Sequence, residues 1–196
     1  MHASLQSTQL NVRQSLRRPA RGAAVLVCLL LLAGWPTRAT AAGGIAMELK
    51  IPSLQDGHVP VEHTCDGADR SPQISWTALP EGTRSLALLM TDPDAPAGTW
   101  THWVLFDVPS ARHSLVAGVP PQPQLADGSR QGRNDFGRIG YGGPCPPKGP
   151  AHRYFFDLYA LDSMLVIDPG ATRGQVETAM HGHVLAHSQV MARYGR

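Results

Sequence analysis

The chain is 196 residues long, 42% hydrophobic and 16% charged, enough for one domain whose core needs no metal or staple. Its formal net charge of +2 is unevenly placed: Arg13, Arg17, Arg18, Arg21 and Arg38 all precede residue 43, where no acidic residue stands. The remainder carries 12 basic against 15 acidic side chains, a net −3 with no basic run, which excludes an electrostatic surface for nucleic acid.

Residues 1–42 read as a secretory signal. Basic residues come first, then the apolar run 23–33, then Thr37-Arg38-Ala39-Thr40-Ala41-Ala42, an A-x-A-like end. The run is shorter than the about 20 residues that span a bilayer, so an exported, periplasmic protein is expected, with an uncleaved anchor as the alternative. Pro19 and Ala20 after Arg17-Arg18 fit a twin-arginine signal poorly. Cys28 lies inside the apolar run, the wrong place for a lipid anchor. Residues 43–196 are expected to form one domain. Its cysteines, Cys65 and Cys145, suggest a disulfide in an exported chain; two free thiols are the alternative, and no C-x-x-C favours a redox site.

In chain order, 47–51 reads as a first strand and 52–71, rich in Asp, Gly, His and Pro, as loop. Ile74-Ser75-Trp76 is a short strand, closed by the turn Leu79-Pro80-Glu81-Gly82. Two unbroken apolar runs follow, Leu86-Ala87-Leu88-Leu89-Met90 and Trp103-Val104-Leu105-Phe106, as buried strands require. Between them lie Asp92-Pro93-Asp94-Ala95-Pro96 and Trp100-Thr101-His102. The prolines fix φ, so the two carboxylates sit in a stiff turn. Residues 111–138 read as a surface excursion with at most short strands. The stretch 137–149 is Gly/Pro-rich, suited to close backbone approach with a stiff rim. It is not a P-loop, because Lys148 lacks the preceding Gly and the following Ser/Thr. His152-Arg153-Tyr154 then opens a strand through Leu161.

Residues 172–193 read as one helix with Thr172 as N-cap. Val176, Ala179, Met180, His183, Val184, His187 and Met191 fall on one face at three- and four-residue spacing. His183 and His187 stand at i,i+4, yet Val184-Leu185-Ala186 between them lacks the zincin glutamate, so no metal is expected and the histidines are taken to cap a packed face. Strands separated by turns, with one late helix, predict an all-β domain with a peripheral helix: an antiparallel two-sheet β-sandwich.

A carboxylate turn with His102 and a Gly/Pro loop with His152 and Tyr154 would, if adjacent, make a polar cup suited to phosphate. Here the sequence resembles the phosphatidylethanolamine-binding protein family, also called Raf kinase inhibitor proteins, in its bacterial YbhB/YbcL-like branch. The resemblance runs from Leu49 to Tyr194. It rests on Cys65-Asp66-Gly67 with Ser71-Pro72 and Trp76, on Asp92-Pro93-Asp94-Ala95-Pro96, on Thr101-His102-Trp103, on Asn134-Asp135-Phe136-Gly137, and on Gly143-Pro144-Cys145-Pro146-Pro147 before His152-Arg153-Tyr154. It implies a two-sheet sandwich with a small anion pocket formed by Asp92, His102, Gly143, Pro144, His152 and Tyr154, and no cofactor. Family members bind phosphate-like groups, and eukaryotic ones regulate kinases or flowering. Cys145, which interrupts the Gly-Pro-Pro run, and the helix expected as last element, without a long tail, depart from the eukaryotic pattern and argue against those lipid and kinase partners.

The expected function is therefore non-enzymatic binding of a small phosphorylated or carboxylated ligand. Asp92 would steady a protonated His102 or His152, or else receive a ligand ammonium, and the Tyr154 hydroxyl would donate to the anion. The alternatives are an inhibitor of an exported protease or other protein, acting through the Gly/Pro rim, and a hydrolase using Asp92, His102 and His152, for which the sequence offers no nucleophile. A protein target and a second copy of the chain are the other partners considered.

Overall fold

A computed structural model describes residues 46–54 and 56–196. The expected secretory signal, 1–42, lies outside the described residues. Eight strands and one helix follow in order: β1 (Leu49–Lys50), β2 (Ile74–Trp76), β3 (Ser85–Asp92), β4 (Trp100–Pro109), β5 (Ser114–Leu115), β6 (Arg130–Gln131), β7 (His152–Leu161), α1 (Arg173–Met180) and β8 (Val184–Tyr194). Two short 3₁₀ turns, Pro52–Leu54 and Val61–His63, punctuate the expected loop before β2. Among the described residues no helix is long and apolar enough to cross a membrane.

The strands form two antiparallel sheets, as predicted. The smaller has the order β1-β2-β5 and the larger β6-β4-β3-β7-β8. The main core lies between them: Ile74 and Trp76 of the small sheet meet Leu86, Leu88, Met90, Trp103, Leu105 and Phe156 of the large one. The opposite face of the large sheet carries Ala87, Leu89, Val104 and Phe106 and is covered by Val176 and Met180 of α1. Burial on both faces is why β3 and β4 read as unbroken apolar runs rather than alternating ones. Burial in β7 alternates over most of its length because only one of its faces is covered there.

The predicted helix over 172–193 is half right. Thr172 caps it as expected, accepting from the Gln175 backbone N–H, while the Gln175 side chain accepts from the Thr172 N–H at 2.9 Å. The helix stops at Met180, Gly182 turns the chain at φ +83°, and 184–194 is strand β8, paired with β7 along its whole length. The last element is therefore a strand. The segment satisfies both periods: Val184, His187 and Met191 carry the helical spacing, but Ala186, Ser188, Val190 and Ala192 alternate inward. The open edge of β7 decides between them. His183 and His187 consequently share no helix face. His183 pairs with Asp162 in the turn at 2.8 Å and His187 with Asp157 across the ladder at 2.7 Å. Among the described residues no cluster of three metal-ligating side chains forms.

Two register shifts bend β4 against β3. One falls between Leu86↔Val108 and Leu88↔Leu105, the other between Met90↔Trp103 and Thr91↔Thr101. The first accommodates Asp107, which takes φ +54° and is fully buried. Its carboxylate accepts from Arg130 and, at 2.8 Å, from the Leu165 N–H. Arg130 also donates to the carbonyls of Ile167 and Leu165. This pair fastens the β7–α1 connection to the sheet. Cys65 and Cys145, 80 residues apart, are disulfide-bonded and tie the 3₁₀ loop to the Gly/Pro stretch.

Truncating one partner of a buried ion pair strands the other, so Asp107→Ala is expected to cost about 3–5 kcal/mol in urea unfolding. Asp107→Asn, which tolerates positive φ and keeps one acceptor, is expected to cost less. Reduction of Cys65–Cys145 is expected to lower unfolding free energy by about 2–5 kcal/mol, measured with and without reductant.

Candidate functional site

The second register shift of β4 builds the site. With Met90 opposite Trp103 and Thr91 opposite Thr101, His102 has no partner on β3. A bulge at this point re-aims its side chain. His102 points into the sandwich end, ring edge against Phe136 at 5.3 Å and Tyr154 at 5.2 Å. It is almost wholly buried, at 2% exposure. Its Nδ1 lies 2.6 Å from the Gly142 carbonyl, which can only accept, so Nδ1 carries the proton and Nε2 is left for another partner. Burial pulls the imidazole below its ordinary pKa, against the Gly142 carbonyl and the Asp92 charge, which favour the cation.

Asp92 ends β3 and is 3% exposed. One oxygen accepts from His152 Nδ1 at 2.8 Å, the other from the Asp94 N–H at 2.9 Å. The carboxylate is thus placed to orient His152, and it also lines the cleft. The neighbouring Asp94 does different work. It accepts from the Arg153 backbone N–H and Nε, each at 2.9 Å, and from Nη2 at 2.6 Å, which holds its carboxyl far below the usual range. That fork joins the 93–99 turn to the start of β7, and so sets Asp92 beside His152.

A cleft of about 310 Å³ opens over these groups. Asp92, Trp100, His102 and His152 supply its polar wall; Pro96, Phe136, Pro146 and Pro147 are chief among its apolar ones. Phe136 is held out by Asn134, whose side-chain oxygen accepts from the Phe136 and Arg138 N–H groups, each at 3.1 Å. The base of this loop is pinned by Asp135, which accepts from the Thr101 N–H at 2.6 Å.

Of the six residues singled out in the sequence, Asp92, His102 and His152 line the cleft, while Gly143, Pro144 and Tyr154 stand behind it. Gly143 does not offer its N–H to the cleft; it donates to Asp69 at 2.6 Å. A Cβ there would lie 2.3 Å from the His63 carbonyl, so glycine is required for this packing. The Pro144 carbonyl accepts from the Cys65 N–H at 3.1 Å, beside the disulfide. Tyr154 is fully buried beneath His102, its hydroxyl near Asp92 without a well-formed hydrogen bond; burial first, and the Asp92 charge second, push the phenol far above its ordinary pKa.

Trp100 and Phe136 are cleft residues that the sequence reasoning did not single out, although both stand within its quoted stretches. The indole N–H of Trp100 is buried without a hydrogen-bond partner. Buried donors are rarely left unpaired, and one that lines a cleft marks a position for an acceptor. The cleft wall therefore offers two imidazoles, whose free nitrogens donate when protonated, within an apolar surround, and the unpartnered Trp100 indole N–H is buried in one of its lining residues.

A sequence model described as phosphatidylethanolamine-binding protein matches residues 51–195. The chain is 49% identical over 158 residues to the UPF0098 protein of Aquifex aeolicus, covering 79% of this chain and 92% of that one. It is 38% identical over 157 residues to the UPF0098 protein YbhB of Escherichia coli, covering 76% and 99%. Two crystal structures superpose with a TM-score of 0.70. One is a phosphatidylethanolamine-binding protein homologue from Chlamydia trachomatis, at 35% identity over 77% of this chain and 98% of that one. The other is E. coli YbcL, at 29% identity over 76% and 98%. The motifs around Asp92, His102 and His152 thus stand in the fold they imply, and the chain belongs to the phosphatidylethanolamine-binding protein family.

Proposed function

We propose that the cleft receives a small phosphate-bearing anion and that the chain is an exported, non-enzymatic binding protein. The buried, unpartnered indole N–H of Trp100 carries this reading, because Trp100 lines the same cleft as His102 and His152. The family's name, drawn from a phospholipid, supports a phosphorylated headgroup as the ligand class. The apolar rim of Phe136, Pro146 and Pro147 would lie against whatever the phosphate is attached to. Binding rather than turnover is favoured because the sulfur in the wall, Cys145, is committed to a disulfide and so is not a nucleophile. That disulfide also supports an oxidising, extracytoplasmic location, in line with the signal pattern of 1–42.

The His102 shift fixes the sign of the pH dependence. In the free protein burial holds the imidazole neutral. A phosphate at Nε2 favours the cation, so binding takes up a proton. Affinity therefore falls as pH rises through the bound-state pKa of His102. The same group makes the free fold acid-sensitive: its folded pKa lies below the unfolded one, so its contribution is complete above the ordinary imidazole value and is lost as pH falls through the folded value.

Calorimetric titration with inorganic phosphate and with phosphoethanolamine, at pH about 5.5 and about 7.5, spans the ordinary imidazole pKa. Saturable binding that weakens at the higher pH is expected. Trp100→Phe is expected to weaken it about tenfold, the loss of one donor to a charged acceptor. Binding of neither ligand at either pH overturns the reading. In thermal melts, added phosphate is expected to raise Tm more at the lower pH.

A further inference from the structure

Three histidines among the described residues pair with aspartates. His183 meets Asp162 at 2.8 Å and His187 meets Asp157 at 2.7 Å, with the two imidazoles 47% and 41% exposed. His152 meets Asp92 at the same 2.8 Å, but with side chains only 12% and 5% exposed. Of the three pairs, this one lines the cleft. The pairing settles which ring nitrogen can react. An Asp92 carboxylate only accepts, so His152 Nδ1 carries the proton. In the neutral ring Nε2 then holds the lone pair, and among the described residues no partner engages it. An imidazole that attacks through Nε2 gains positive charge, which a carboxylate on the far nitrogen steadies. His102 lacks that support, because its Nδ1 bonds to the neutral Gly142 carbonyl.

We propose that His152 Nε2 is a phosphoryl acceptor, taking the phosphoryl group of an acyl phosphate held in the cleft. Such capture rests on the phosphate-site reading above and adds a covalent state to it. The Nε2 lone pair attacks phosphorus and forms an N–P bond. The P–O bond to the acyl oxygen breaks, and its electron pair leaves with the carboxylate. Nδ1 keeps its proton, and the Asp92 charge balances the ring. One phosphoryl group is taken per chain, so the step is stoichiometric and the chain remains a binding protein.

The lining narrows the class of donor. Among the described residues that line the cleft there is no Lys or Arg. The leaving group of a nucleoside triphosphate carries several negative charges, which cations must neutralise. A phosphate monoester leaves as an alkoxide, which needs a proton as the bond breaks. A carboxylate leaves with a single, stable charge and needs neither. The apolar rim of Phe136, Pro146 and Pro147 suits the acyl body.

The test is intact-mass spectrometry of the full chain after incubation with acetyl phosphate, followed by peptide mapping. The wild type is expected to gain one phosphoryl group, stable in alkali and lost in acid as an N–P bond is, and mapping is expected to place it on His152. Added inorganic phosphate is expected to slow the labelling by competition. His152→Gln and His152→Ala are expected to abolish it. Asp92→Asn is expected to slow it about a hundredfold or more at saturating acetyl phosphate; a purely structural Asp92 would instead move Tm or the half-saturating concentration. Mapping needs only the wild type, so it decides the matter even where a variant does not fold. Label on the exposed His58, His113, His183 or His187 in place of His152 overturns the proposal, because exposure rather than the cleft then directs the reaction. So does a chain that binds inorganic phosphate by calorimetry yet gains no phosphoryl group, a result that leaves the phosphate site standing. A chain that does neither fails at the site itself, and both readings fall together.

Discussion

Strand β3 is buried on both faces and hydrogen-bonded along both edges, to β4 on one side and β7 on the other. A strand in that position has no freedom to slide, since a one-residue slip would exchange Leu86, Leu88 and Met90 for Ala87 and Leu89 in the main core. Its last residue, Asp92, is consequently fixed in space by the packing of the whole domain. The partner imidazole comes from the first residue of β7, whose register against β3 is set by the same ladder. The Asp92–His152 hydrogen bond thus inherits its geometry from the core as well as from the Asp94–Arg153 fork in the turn that follows it.

The polar groups around the cleft are organised largely by saturation. Asp69 takes the Gly143 N–H, Asp135 the Thr101 N–H and Asp94 the Arg153 fork, while Asn134 holds the loop that carries Phe136. Asp92 accepts one bond at each oxygen. Carboxylates that accept from fixed donors make rigid loops without regular secondary structure, because each bond replaces one that water would have supplied. The consequence is selectivity by subtraction. Several backbone donors near the cleft are used up internally, and the side-chain nitrogens that remain, those of the Trp100 indole and the imidazoles, are few and chemically distinct.

Both register shifts of β4 serve buried polar residues. One lets Asp107 adopt positive φ and reach Arg130; the other turns His102 to the same side as its neighbour Trp103. An unbroken alternation would have put one of each pair on the wrong face. The bulges are where the sheet gives up ladder regularity for function at one end and for anchoring of the α1 connection at the other.

Much of this was legible in residue order. Apolar runs located β3 and β4, glycine and proline located the turns, and the spacing of the Asp92, His102 and His152 motifs identified the family and three of the polar groups that line the cleft. The Cys65–Cys145 bond was one of two readings until the fold set the cysteines' Cα atoms 5.4 Å apart. Other features depended on contacts that no local pattern encodes. Residues 184–194 carry helical and strand periods together, and the open edge of β7 chose between them. The bulges at His102 and Asp107 depend on register against β3. Gly143 looked like a free donor until Asp69, 74 residues away, claimed its N–H. Periodicity records which side chains a segment can bury, so the sequence alone determined β2, β3, β4 and β7 and the family motifs. Hydrogen-bond saturation records which distant groups arrive beside them, and only the tertiary structure decided that.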